Sequence, residues 1–102
     1  MIDLGIVHHF SHKVYAKQML LPGKHYAETH EHNYDHMSIL ATGAVLVTID
    51  GKSEYYAGPS VIHIKAGQKH RIEALTDAVW FCVHGTEETD PDKIDLVLIK
   101  ER

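Results

Sequence analysis

Turn-forming residues interrupt this chain so often that most segments between them are too short for a helix of typical length. The segments themselves are rich in β-branched and aromatic residues, which favour strands. Short strands at regular intervals predict an all-β sandwich or barrel. The predicted turns are at Pro22-Gly23, Asn33-Tyr34-Asp35, Thr42-Gly43, Asp50-Gly51, Gly58-Pro59, Ala66-Gly67, Thr76-Asp77 and Asp90-Pro91, and the clearest predicted strands are Val14 to Leu21, Ala44 to Ile49, Ser60 to Ile64, Ala78 to His84 and Ile94 to Ile99.

One turn has the sequence that most strongly favours a β-hairpin. Asp50-Gly51 lies between Val45–Ile49 and Lys52–Tyr56, which predicts two strands joined by a two-residue turn. The strand pattern is weaker in the N-terminal stretch up to His12 and in the segment Glu87 to Lys93. The second of these segments is polar and is predicted to be a surface loop. Ile94 to Ile99 could be a closing strand or a short helix, and its β-branched content favours the strand.

Length and charge limit the classes of protein to consider. At 102 residues with 44% hydrophobic content, the chain predicts a single domain over residues 1–102 with one core. The net charge is -4 and the lysines and arginines are scattered, which argues against a nucleic-acid partner. No basic segment precedes an apolar run, and no apolar run approaches the roughly 20 residues that span a bilayer. These features predict a cytoplasmic protein without a membrane partner.

Histidine is the anomalous residue, with ten in 102 positions. His30 and His32 are two residues apart, so in a strand they point to the same face, about 6 to 7 Å from one another along the chain. His36 follows a turn-like triplet and could fold back toward the same point. His70 comes much later. Because histidine is the commonest metal ligand, the spacing raises the possibility of one shared ion.

These residues resemble the two motifs of the cupin superfamily. The first stretch spans about residues 23–43, from Gly23 through His30-x-His32-x3-His36-x6-Gly43, and the second spans about residues 58–74, from Gly58 through Lys65-x-Gly67-x2-His70. The resemblance implies a cupin double-stranded β-barrel, an antiparallel jelly roll in a single domain. It also implies one divalent transition-metal ion on His30, His32, His36 and His70.

The chain departs from the cupin pattern at four positions. Gly23 is one residue further from His30 than in the pattern, Lys65 replaces the usual proline, and Ala74 replaces an asparagine. His36 takes the place of the family's glutamate ligand. Four neutral imidazoles would leave the site with a charge of about +2, where a glutamate would bring it to about +1, so the ion should be a stronger Lewis acid and attract anions.

Metal identity stays open at this point, because imidazole suits several ions, and Fe, Mn, Ni and Zn are all candidates. Near the predicted ligands, Tyr26 and Glu28 share the strand parity of His30 and His32, so in a regular strand they would also point inward. Glu28 is then a candidate general base or an acceptor for an imidazole N–H, and Tyr26 a second candidate catalytic group. The alternative is that both face solvent where the strand begins.

The other histidines can be assigned to the inner or the outer face of the barrel from their position in a strand, because successive side chains point to opposite faces. His84 shares parity with Trp80 and could face either the cavity or the outside. His63 lies between two predicted core isoleucines, so it should face away from the core. The remaining histidines are expected at the surface or at an edge, namely His8, His9, His12 and His25.

Two classes of function fit these residues. The resemblance to small cupins implies an enzyme of the dioxygenase, isomerase or lyase type that acts on a small anionic or oxygen-bearing metabolite. The alternative is a non-catalytic cupin that binds a metal or small ligand as a sensor, a carrier or a structural site. Whether the chain is an enzyme stays open. The resemblance also implies a homodimer with contacts through the terminal strands.

Overall fold

Strands make up most of the part of the chain that the computed structural model describes, which is residues 4–28, 34–86 and 88–94. Nine strands are defined within it: β1 (Val7–Ser11), β2 (Val14–Leu21), β3 (Tyr26–Glu28), β4 (His36–Thr42), β5 (Ala44–Ile49), β6 (Lys52–Ala57), β7 (Ser60–Ile64), β8 (His70–Ala74) and β9 (Ala78–Gly85). No helix in these residues is long and apolar enough to cross a membrane.

The strands form two antiparallel sheets. One has the order β1-β2-β9-β4-β7 and the other the order β3-β8-β5-β6. Strands that are distant in sequence are therefore neighbours, as when β9 lies between β2 and β4. This arrangement confirms the predicted all-β, antiparallel jelly roll.

The hairpin predicted at Asp50-Gly51 is confirmed. Ile49 pairs with Lys52, so two residues make the turn between β5 and β6. Both turn residues have positive φ, 51° for Asp50 and 80° for Gly51. Glycine adopts this conformation without steric cost, and aspartate tolerates it better than most residues do.

The core lies between the two sheets and is made by alternate residues of each strand. Trp80, Leu40, Ile72 and Val45 are at most 1% exposed. Because side chains alternate across a strand, each strand contributes one face to this core and one to the outside. A second, smaller cluster is formed by Tyr15 and Ile94, with Phe10 packed against it.

The turn between β4 and β5 packs closely against the start of β9. Gly43 has a φ of 95°, and a Cβ at this position would overlap the Asp77 carbonyl oxygen and the Ala78 Cα. The Gly43 carbonyl also accepts a hydrogen bond from the backbone N–H of Gly58 at 2.9 Å. A glycine of the first motif and one of the second therefore meet at this point of the barrel.

Candidate metal centre

His36 and His70 bring one imidazole from each sheet into the interior. His36 is the first residue of β4 and His70 the first of β8, and they are 6% and 2% exposed. Their strands alternate so that the buried residues that follow, Ser38 and Ile72, share the same inward faces. The ring centroids are 6.1 Å apart, with an angle of 40° between the ring planes.

This separation of the ring centroids lies near the upper limit for two ligands of one ion. With a metal–nitrogen bond of about 2.0 to 2.1 Å, a ring centroid lies roughly 3.2 Å from the ion, so two rings that share it have centroids at most about 6.4 Å apart. The observed 6.1 Å lies within that limit. Imidazole nitrogen is a donor that Fe, Ni, Zn and Mn all accept.

His30 and His32 lie outside the described residues, so the other two predicted ligands are not tested. Among the residues that the structure does describe, no three or more His, Cys, Asp and Glu side chains are grouped so as to hold a metal. His36 and His70 form a pair, and the four-histidine set stays a prediction.

His84 is a third buried histidine of the interior. It is 4% exposed and stacks on His36, with centroids 4.4 Å apart and an angle of 27° between the rings. Tyr15, its cross-strand partner on β2, stacks on it at 6.1 Å. The cupin motifs do not include His84, and only its parity with Trp80 could have assigned it to the interior from the sequence.

Tyr26 and Glu28 do not point inward, which corrects the orientation expected from strand parity. On β3 the buried residue is Ala27, and the two residues beside it are exposed. Arg71 lies over the Tyr26 ring at 3.9 Å, and its guanidinium is 3.8 Å from the Glu28 carboxylate. The physical reason is pairing: Ala27 lies opposite Ile72, the buried residue of β8, so its neighbours must face out.

The histidines expected away from the interior agree with the structure. His63 is exposed between the buried Ile62 and Ile64, as predicted. His9, His12 and His25 are exposed as well. His8 lies on the edge strand β1, as predicted, and is half-buried because its ring packs against Tyr15, with Nδ1 2.7 Å from the phenol oxygen.

Two cavities open near the candidate centre. One has a volume of about 470 Å³ and is lined in part by His36, His84, Asp35, His63 and Lys65. The Asp35 carboxylate in this cavity accepts a hydrogen bond from the Ala66 N–H at 2.8 Å, which fixes its position.

The other cavity has a volume of about 550 Å³ and runs between β5, β6 and β7. Its lining includes Glu54 and Tyr56, whose side chains are hydrogen bonded at 2.7 Å. This bond raises the pKa of the Tyr56 phenol, because ionisation would put a second negative charge beside the Glu54 carboxylate.

Cys82 lies on the same strand and face as His84. Its sulfur is 3.8 Å from the Ser38 hydroxyl, which donates to it. Burial raises the pKa of the Cys82 thiol, although the neighbouring Trp80, the hydrogen bond from Ser38 and the charge of Lys17 act in the opposite direction. The thiol is therefore protonated at neutral pH.

The comparisons with known proteins agree with this geometry. The family model described as Cupin domain matches residues 16–84, well over half of the chain. The chain therefore belongs to the cupin family, whose members bind metals or small molecules. A search of the curated proteins found no match.

Solved structures show the same fold at low sequence identity. An RmlC-like cupin family protein from Methanocaldococcus jannaschii is 17% identical, with a TM-score of 0.67 over 91% of this chain and 88% of that chain. A predicted oxalate decarboxylase from Thermotoga maritima is 19% identical, with a TM-score of 0.68 over 79% and 78% of the two chains. The Cnp3 cupin domain from Schizosaccharomyces pombe is 13% identical, with a TM-score of 0.69 over 79% and 63%.

Proposed function

We propose that this cupin binds one divalent transition-metal ion through His30, His32, His36 and His70. The observation that carries the proposal is the pair of buried imidazoles, His36 and His70, which meet from opposite sheets within the reach of one ion. The resemblance supplies the other two ligands.

The surrounding residues would hold the ligands in place. His84 stacks on His36 and Tyr15 stacks on His84, so the His36 ring is confined between packed aromatic groups. Trp80 packs beside His70 at 6.3 Å and excludes water from that side. When bound, the metal would supply Lewis acidity and open coordination positions for a ligand.

A small anionic or oxygen-bearing metabolite is the ligand class that we propose. The cavity of about 470 Å³ that reaches His36 and His84 is of the size that small molecules occupy. Lys65 lines this cavity and adds positive charge. Asp35 also lines it, and its carboxylate accepts a hydrogen bond from the backbone N–H of Ala66. Together with a metal site of about +2 charge, this environment favours an anion.

The enzyme proposal is that the metal-loaded protein acts on such a metabolite as a dioxygenase, isomerase or lyase. The protein would be loaded separately with Fe(II), Mn and Ni and tested for O2 consumption and for turnover of a panel of carbonyl, enol and thiol compounds. Turnover by any one form supports the enzyme. Retention of metal with no turnover by any of them contradicts it.

A non-catalytic binding role is the second candidate, and one observation favours it. Tyr26 and Glu28, the two acid–base groups suggested by the sequence, lie on the outer face of the barrel. The interior histidines could then serve to hold a metal and a ligand without proton transfer. Retained metal and bound ligand in the absence of turnover is the result that this role predicts.

Metal titration of matched histidine variants tests the proposed ligands. His36→Ala and His70→Ala should each weaken metal binding by at least about 10- to 100-fold, since even loss of groups that only support a ligand has effects of that size. His12→Ala is the control, because His12 is exposed in the turn between β1 and β2. Isothermal titration with Zn²⁺ and with Mn²⁺ measures the affinities. Equal affinities for His36→Ala, His70→Ala and His12→Ala would contradict the assignment.

A further inference from the structure

Polar side chains occupy the inner side of β6, where the other strands carry core residues. They pair across the strands with apolar residues of β5 that belong to the core or pack against it, and the pairs are Lys52 with Ile49, Glu54 with Val47, and Tyr56 with Val45. Directly paired residues project from the same side of a sheet, so these polar side chains face the space between the two sheets. β6 lies between the two cupin motifs, and the resemblance therefore assigns no role to its residues.

These side chains line the cavity of about 550 Å³ between β5, β6 and β7. Within the described residues β6 and β7 are the end strands of their sheets, so the cavity opens to solvent between two strand edges. A cavity of this size can hold a small molecule. The described residues that line it do not include His36, His70 or His84, which makes it a site apart from the candidate metal centre.

Hydrogen bonds from one side chain fix the rim of this cavity. The Gln68 amide oxygen accepts a hydrogen bond from the backbone N–H of Lys65 at 3.1 Å. The Gln68 amide nitrogen donates one to the Asp50 carboxylate at 3.2 Å. Gln68 therefore connects the loop after β7 to the turn between β5 and β6, and all three residues line the cavity.

Further inside, the Glu54 carboxylate is held in place by Tyr56. The Tyr56 hydroxyl donates a hydrogen bond to Glu54 Oε2 at 2.7 Å. An ionised carboxylate has about four positions that accept a hydrogen bond, so Glu54 can accept further hydrogen bonds from a ligand. The cavity thus offers a carboxylate whose orientation is set before a ligand enters.

The formal charges of the cavity lining cancel. Asp50 and Glu54 are acidic, and Lys52 and Lys65 are basic. Among the described residues, neither lysine belongs to an ion pair. The carboxylates would repel a simple anion and the ammonium groups a simple cation. A molecule that carries both charges finds an opposite charge for each of them.

We propose that this cavity binds an α-amino acid with an apolar side chain. Glu54 accepts hydrogen bonds from the ammonium group of the ligand, and Lys52 and Lys65 bind its carboxylate. The apolar side chain of the ligand packs on Val47 and Ile62, which line the cavity and are 2% and 5% exposed. Transfer of that side chain from water to an apolar wall favours binding. This site goes beyond the proposed metal function and does not depend on it.

Three probes of matched shape test the proposal. They are L-leucine, 4-methylpentanoate, which lacks the ammonium group, and 3-methylbutylamine, which lacks the carboxylate. Titration followed by ¹H–¹⁵N NMR without added metal measures each dissociation constant. Leucine should bind at least about tenfold more tightly than either analogue and shift the amide signals of β5, β6 and β7, since each missing charge leaves a cavity group without its partner. Leucine that does not bind, that binds no more tightly than the analogues, or that shifts signals elsewhere would overturn the proposal.

A pair of matched variants tests the role of Glu54. Glu54→Gln keeps the shape of the side chain but removes its charge, so it should weaken leucine binding by at least about tenfold. It should not weaken the binding of 4-methylpentanoate, which has no ammonium group. Glu73→Gln is the control, because Glu73 is exposed on the outer side of the four-stranded sheet. Equal leucine affinities for Glu54→Gln and Glu73→Gln would contradict the assignment.

Discussion

Three glycine-to-alanine variants separate two physical costs of adding a side chain in the turns between strands. Gly51 has positive φ, but an added Cβ would meet no atom within 4 Å. Gly58 lacks positive φ, but its Cβ would lie 2.9 Å from the Ala41 carbonyl oxygen and the Thr42 Cα. Gly43 combines both, with a φ of 95° and a Cβ that overlaps the backbone of β9.

The expected destabilisation of each variant follows from two costs, the strain of alanine at a positive φ and the steric overlap of its methyl group. Placing alanine at positive φ costs about 1 to 2 kcal/mol, which is the expected destabilisation for Gly51→Ala. Forcing a methyl group into backbone costs about 1 to 3 kcal/mol, which applies to Gly58→Ala. Gly43→Ala adds the two costs and should lower the free energy of unfolding by about 2 to 5 kcal/mol, a large part of the 5 to 15 kcal/mol typical of a domain.

Urea unfolding followed by circular dichroism measures the three free energies. The expected order of destabilisation is Gly43→Ala first, with Gly51→Ala and Gly58→Ala well behind it. Thermal midpoints should fall by roughly 4 to 8 °C per kcal/mol. A Gly43→Ala variant that is no less stable than Gly51→Ala would refute the close packing of the β4–β5 turn against β9.

Further predictions concern pH, the thiol and the core. An ordinary imidazole has a pKa of about 6.5 and binds metal only when neutral, so Zn²⁺ affinity should fall between pH 8 and pH 5, and a flat profile would contradict histidine ligation. Because burial raises the pKa of Cys82, iodoacetamide should label it more slowly at pH 7.5 than it labels the urea-unfolded chain. The same shift means that the unfolded thiol ionises first, so the free energy of unfolding should decrease above about pH 8.5, and Cys82→Ala should lose this decrease. Leu40→Ala, at a fully buried position, should cost about 2 to 5 kcal/mol in urea unfolding, and a cost near zero would place Leu40 outside the core.

Four of the five strands with the clearest pattern were predictable from the sequence, and the fifth, Ile94 to Ile99, lies outside the described residues beyond Ile94. β2, β5 and β7 have the predicted bounds, and β9 is one residue longer than predicted. These strands are rich in β-branched residues between turn residues, so local preference and tertiary packing agree. β1 was not assigned, because it contains two histidines, and β3, only three residues long, was considered only as the start of a strand that carries His30 and His32. β1 forms by pairing with β2, and β3 forms by pairing with β8. A single sequence does not show which strands pair.

It was harder to predict which face of its strand each candidate site residue occupies. Parity correctly placed His63 outside, because Ile62 and Ile64 are large apolar neighbours. Parity failed for Tyr26 and Glu28, because the inward residue between them is Ala27, whose small side chain gives little indication of burial. The stacking of His84 on His36 depends on the pairing of β4 with β9, whose paired residues are 37 to 46 positions apart in the sequence.

The central claim is that four histidines hold one divalent metal ion. Elemental analysis of tag-free protein, combined with X-ray absorption at the edge of the metal found, measures both stoichiometry and ligands. The account predicts one transition-metal ion per chain, with four nitrogen neighbours that fit imidazole. Protein without metal after purification and after reloading, or an ion with fewer than three imidazole neighbours, would contradict it.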